Sequence, residues 1–172
     1  MKPYYLYLIA LTILLSGCGV TSQSGSDRKA EKNAKQAEAY AKTSTLIEGG
    51  NYIFTVQSIN PSGGKTIRST SLYTMKASNG SFEAYLPYFG RAYQANYGGN
   101  GGIEFKGEPE DLTVVQNADK FSTTVTYQIS ESNERFNITF VVGANGYGTL
   151  TVISQNRQSI SYYGLVSELT EE

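Results

Sequence analysis

The chain has 172 residues, with 14 basic against 15 acidic side chains for a net charge of −1, and it holds no histidine, no tryptophan and one cysteine. A balance this close to neutral leaves no basic stripe for nucleic acid and no acidic tail. Without histidine, Ser-His-Asp and Cys-His nucleophile arrangements are excluded, and the commonest zinc ligand is missing.

Lys2 precedes an apolar run from Tyr4 to Leu15, and Leu15-Ser16-Gly17-Cys18 follows. The run falls short of the ~20 residues of a spanning helix and matches the apolar core of a signal peptide. Leu-Ser-Gly-Cys resembles the lipobox of bacterial lipoproteins, in which the cysteine thiol receives a diacylglycerol and the chain is cut just before it. Residues 1–17 are therefore expected to be a lipoprotein signal peptide and Cys18 the acylated first residue of the mature chain. Two or three acyl chains anchor stably where one is marginal. An ordinary buried cysteine is the competing reading, and the polar stretch from Thr21 to Ser26 directly after the apolar run argues against it. Residues 18–27, rich in Ser and Gly, are expected to form a flexible tether, and residues 28–172 one helix-plus-β domain. With Cys18 acylated, no thiol remains for a disulfide, a metal or nucleophilic catalysis.

In "RKAEKNAKQAEAYAKTSTLIEGG", Ala30, Ala34, Ala37 and Ala41 recur at helical spacing, with Tyr40 and Ile47 on the adjoining face. Glu31/Lys35 and Glu38/Lys42 stand four apart in the favourable order, and Gly49-Gly50 supplies a stop. The reading is one amphipathic helix docked on the domain through a thin, mostly alanine face, with a solvated stalk as the alternative.

From Asn51 the period changes to two. Tyr52, Phe54 and Val56 alternate with polar or smaller residues, as do Val125, Tyr127 and Ile129, then Phe136, Ile138, Phe140 and Val142, then Leu150 and Val152, then Ile160, Tyr162 and Val166. Asn79-Gly80 and Asn145-Gly146 are dipeptides of tight hairpins with positive φ at both central residues. Short links throughout predict a mainly β fold, an antiparallel meander of about eight to nine strands after one N-terminal α-helix. A barrel, a strongly curved half-barrel and a two-sheet sandwich all satisfy the pattern, and consecutive hairpins favour the barrel-like forms.

Candidate chemistry concentrates in two blocks. "YLPYFGRAYQANYGGNGGIEF", residues 85–105, reads as a glycine-hinged loop offering Tyr88, Arg91, Tyr93 and Tyr97, with Phe89 beside them. "NRQSISYYG" supplies Asn156, Arg157 and Tyr163. Tyrosine presents a flat apolar face with a polar tip and arginine a rigid fork of donors, so the two groups, if they meet, make a cleft for a glycan, a cell-wall fragment or a small amphiphile. The competing reading is that the aromatics order the loop by packing. Gly98 to Gly102 lacks the Lys-Ser/Thr and following helix of a phosphate cradle. Glu83, Glu104, Glu108, Glu110 and Asp111 leave a carboxylate-based hydrolase conceivable, but clustered acids around Pro109 read first as a solvated turn. No catalytic residue, metal or cofactor is expected.

The lipobox, the Ala/Lys/Glu helix, "YLPYFGRAY", "GGNGGIEF", "NGYGTLTV" and "NRQSISYYG" together resemble a family of uncharacterised lipoproteins frequent in Bacteroidetes, a domain of unknown function. The resemblance implies a small antiparallel β domain after an N-terminal helix, in the cell envelope, and assigns no binding or catalytic residue. Surface lipoproteins of such bacteria tend to carry acids just after the cysteine. Gly19 to Gln23 has none, which implies an anchor facing the periplasm. The expectation for function is a lipid-anchored, noncatalytic binding module, with docking of an envelope partner protein as the alternative.

Overall fold

A computed structural model of the chain describes residues 25–93 and 101–170. The expected signal peptide (residues 1–17), Cys18, most of the expected tether and Tyr97 lie outside the described residues. By internal contacts the chain divides into two units, Met1–Asn33 and Ala34–Glu172. Helix α1, Gly25–Glu48, begins inside the stretch expected as tether, and its residues from Asp27 to Glu38 are exposed.

The expected alanine face is not the buried one. Ala30, Ala34, Ala37 and Ala41 are exposed, whereas Tyr40, Ser44 and Ile47, spaced by four and three, are buried in the second unit. Alanine repeats every three or four residues in this helix because it is the best helix former, and the larger Tyr40 and Ile47 decide which face packs. The helix stops at Gly49-Gly50 as predicted, with Gly50 at φ 66° and Gly49 N–H donating to Thr45 O at 2.9 Å.

Ten strands follow: β1 (Tyr52–Pro61), β2 (Ile67–Arg68), β3 (Thr74–Ser78), β4 (Ser81–Leu86), β5 (Ile103–Gly107), β6 (Glu110–Asn117), β7 (Ser122–Glu131), β8 (Glu134–Gly143), β9 (Tyr147–Ser154) and β10 (Ile160–Glu168). They form one antiparallel sheet in the order β5-β4-β3-β1-β10-β9-β8-β7-β6, with the two-residue β2 also on β1. Two meanders thus flank β1, which joins the last strand to the third. Where β1 and β10 pass, a Cβ on Gly164 would collide with the Thr55 carbonyl oxygen, so only glycine permits the approach.

The sheet is a curled half-barrel, not a sandwich. Its concave face holds the alternating residues read from the sequence, and rings meet across it: Phe82 stacks on Tyr127 at 4.2 Å, and Phe105 lies 5.8 Å from Phe136. The two edge strands, β5 and β6, are separated in the chain only by Glu108 and Pro109. Glu110 and Asp111, expected in a turn, instead open β6. All eight residues of that strand are exposed, so it carries no alternation to read.

The hairpins divide. Asn79 (φ 50°) and Gly80 (φ 81°) both take positive φ as expected. At the other dipeptide only Gly146 does, at φ 76°, and its N–H donates to Gly143 O at 3.0 Å. This is the three-residue loop, a turn closed by a left-handed glycine.

Candidate functional site

One rim of the half-barrel gathers β4's exit, the start of β8 and the link from β9 to β10. Here "YLPYFGR" and "NRQS" do lie side by side. Ala92 pairs with Arg157 in an antiparallel bridge, Tyr93 N–H donates to Asn156 O at 2.7 Å, and Gln158 N–H donates to Arg91 O at 3.0 Å. The Tyr88 hydroxyl sits 2.8 Å from Arg91 O and 3.0 Å from Gln158 O, so its single proton is shared between the two. Below them the Tyr162 hydroxyl donates to the buried Pro87 carbonyl at 2.8 Å.

Arg157 does not face a ligand. It is buried and grips Glu134 with two parallel bonds, Nε to Oε1 at 2.8 Å and Nη2 to Oε2 at 2.7 Å, while Nη1 donates to Gly102 O at 2.8 Å. Ser154 Oγ donates to the same Glu134 carboxylate and itself accepts from Asn156 N–H at 3.0 Å. The Arg157 guanidinium carbon also stands 5.1 Å from the Tyr88 ring centroid, within cation–π range. A charge is tolerable in such a place only when it is paired and hydrogen-bonded, and both conditions are met here. Gly102 cannot be enlarged, because a Cβ there would stand 2.8 Å from Leu86 O. Burial raises the Tyr88 hydroxyl above the usual tyrosine range, against the opposing effect of its bond to Gln158. Burial also lifts Tyr162, more strongly.

These bonds therefore tie the chain after β4 to the β9–β10 link, and what they leave outside is a row of exposed rings. Tyr85, Phe89 and Tyr93 are 51%, 52% and 67% exposed. Tyr73, Tyr85, Leu86, Pro87, Tyr88 and Phe89, with Gly101, Gly102 and Glu104, line a groove of about 260 Å³. Tyr73 and Tyr85 stand 5.9 Å apart with ring planes at 30°.

The expected cleft is thus divided. Tyr88, Arg91, Tyr93, Asn156 and Arg157 come together, with Arg157 committed to Glu134. Tyr163 does not join them: it alternates with the buried Tyr162 and lies on the outer face of β10, stacked on Tyr147 at 5.5 Å. Of the acids considered, Glu104 lines the aromatic groove, Glu83 pairs with Lys106 at 3.1 Å and Glu110 with Arg135 at 3.2 Å, both pairs exposed. Glu134 was missed by the sequence reading. Its signal was nonetheless present, since the inward stripe Phe136, Ile138, Phe140, Val142 extends back onto it.

Residues 34–166 match a domain of unknown function, DUF4251. The chain belongs to the DUF4251 family. The match runs from the start of the second unit to Val166 on β10, so it takes in the docked part of α1 and the whole sheet up to that residue. The DUF4251 chain is also similar to the crystal structure of a DUF4251 family protein from Bacteroides eggerthii, with a TM-score of 0.60, 15% identity, and 79% of this chain and 91% of that one covered. At that identity the likeness concerns the fold alone. No curated protein matches the chain.

Proposed function

We propose that this DUF4251 protein is a lipid-anchored, noncatalytic module of the bacterial envelope, facing the periplasm, that holds a glycan ring or small amphiphile on the aromatic groove between the end of β4 and the start of β5. The observation that carries the reading is the groove itself: Tyr73, Tyr85, Tyr88 and Phe89 share one concave surface with the polar Glu104 at its side. Flat rings with polar tips suit ligands that have one apolar face and a fringe of hydroxyls. The buried Arg157–Glu134 pair supports this by fixing Tyr88 and the backbone of the groove wall before any ligand arrives, which lowers the ordering cost of binding. The lipobox at Cys18 supports the anchor.

Calorimetric screening of envelope glycans and amphiphiles against the wild type, Tyr85→Ala and Phe89→Ala tests it. A ligand weakened by roughly 10-fold or more in both variants is the expected result. A ligand that binds both variants as tightly as the wild type would remove the groove from the account. Arg91→Ala separates the exposed arginine's contribution from that of the rings.

A second reading, docking of an envelope partner protein, is favoured by β6. Its eight residues are exposed, and Leu112, Val114 and Val115 are 45%, 39% and 56% accessible along an edge of the sheet. Such an edge accepts an added strand from a partner. A photocrosslinker at Val115 in intact cells would capture that partner, and a reproducible absence of crosslinked protein would count against this reading.

A further inference from the structure

A second groove, of about 620 Å³, opens where β1 exchanges one neighbour for another, and it is lined by Val56, Gln57, Ser58, Thr66, Arg68, Ser69 and Tyr163. On that side β3 pairs with Tyr52–Thr55 and β2 with Ser58 and Ile59. Between them Val56 N–H reaches Tyr73 O and Gln57 O accepts from Ser69 N–H, each at 2.9 Å. The register on β10 also slips between Val56 and Ser58, so Gln57 is an extra residue that bends the strand.

Register then arranges the walls. Arg68 is opposite Ser58, and Ser58 is opposite Tyr163, so the three form one row across β2, β1 and β10 on the outer face of the sheet. Neighbouring strands stand roughly 4.8 Å apart, which sets Arg68 and Tyr163 roughly 10 Å apart with a serine as the floor between them. Tyr163 is braced on one side by Tyr147, with ring planes at 10°, and its other side borders the groove.

The polar lining has a definite sense. Thr66 Oγ1 donates to Asn60 Oδ1 and Ser69 Oγ to Ser71 O, both at 2.7 Å, so their protons are committed and their oxygens present lone pairs. Arg68 is exposed, is the one charged residue in the lining, and has no carboxylate partner among the described residues. The site thus asks for a ligand whose ring has an apolar face, with hydroxyl donors and a single negative charge.

We propose that this groove binds an acidic sugar residue, a pyranose bearing a carboxylate, stacked on Tyr163 with its carboxylate in the fork of Arg68. The planar guanidinium matches a carboxylate with two parallel bonds, and one cation balances one anion, whereas a phosphate monoester would leave charge unmatched. The inference is independent of the aromatic groove, which shares none of these lining residues.

Titration of the full domain with trigalacturonate, against neutral galactotriose and inorganic phosphate, tests it by calorimetry and by chemical-shift mapping. The acidic trimer is expected to bind and to shift the resonances of Ser58, Arg68 and Tyr163. Arg68→Ala and Tyr163→Ala should each weaken it by roughly 10-fold or more, and Arg68→Lys by less. Tyr85→Ala, in the other groove, should leave it unchanged. Absence of binding up to roughly 10 mM overturns the proposal. So does equal affinity for the neutral trimer, displacement of the saccharide by an equal concentration of phosphate, or indifference to Arg68→Ala. Arg68 is exposed on a two-residue strand, so its replacement leaves the fold intact, and a thermal melt checks this.

Discussion

Arg157 and Glu134 are opposite charges removed from water, with side chains 9% and 7% accessible. A pair in that setting is a poor source of net stability but a severe liability once broken, because the survivor is left buried and uncompensated. Glu134→Ala should therefore cost about 3–5 kcal/mol in urea unfolding, whereas the joint replacement Glu134→Met with Arg157→Met should cost clearly less than the two single changes added together. Simple additivity in that cycle would show that the two groups act separately. The two-pronged bond between Arg157 and Glu134 has a second consequence. Arg157→Lys keeps the charge but loses the two-pronged grip, so the loop around Tyr88 should become more susceptible to proteolysis even where global stability changes little. At this scale the sequence was informative on one side only. Arg157 stood out in an unusual block, but its partner lies 23 residues away in sequence on another strand, and only the inward parity of β8 pointed to it.

Among the elements, legibility followed burial and length together. The long strands with one buried face, β1, β7, β8, β9 and β10, were readable because half of each is packed against the concave core, which enforces a period of two. The shorter β4 and β5 alternate as well, but the stretch 85–105 read as a glycine-hinged loop is shorter than expected at both ends: Tyr85 and Leu86 close β4, and Ile103 to Phe105 open β5. β6 was not, since exposure on both sides removes the selection that writes alternation. In α1 the alanines that form the helix are not the residues that dock it, and propensity and packing pulled the reading in different directions. Tyr163 was misplaced for a simpler reason: composition grouped it with Arg157, while parity along β10 sends it to the outer face. Close packing of elements also yields a sharp test. Gly164 sits where β1 and β10 cross so tightly that a Cβ meets the Thr55 carbonyl, with the Phe54 ring 3.0 Å away as well. Both neighbours are constrained, one being backbone and the other a core ring. Gly164→Ala should destabilise by about 1–3 kcal/mol or more, read as a lowered denaturation midpoint. Gly63→Ala, where the added atom would stand 3.6 Å from the flexible Gln158 side chain, serves as the control and should be nearly silent.

For the molecule as a whole, the half-barrel encloses hydroxyls as well as apolar groups, and this sets its response to alkali. Tyr52, Tyr127 and Tyr162 are all pushed above the ordinary tyrosine range, in each case mainly by burial, which disfavours the phenolate. In the unfolded chain these groups ionise near pH ~10. Below that pH both states keep their protons and the three tyrosines add no pH dependence of their own. Above it the unfolded chain loses protons that the folded chain retains, so stability falls as pH rises, by up to roughly 1.4 kcal/mol per pH unit for each tyrosine. Urea unfolding followed from pH 7 to pH 11 should therefore show a plateau and then a steep decline beginning near pH ~10. Tyr127→Phe is the discriminating variant. Among the described residues its hydroxyl makes only a contact of 3.2 Å with the Met75 sulfur, a weak acceptor, so its loss should change neutral-pH stability little. The alkaline decline should become shallower by one tyrosine's share. An unchanged slope would mean that ionisation in the core is not what limits the fold at high pH.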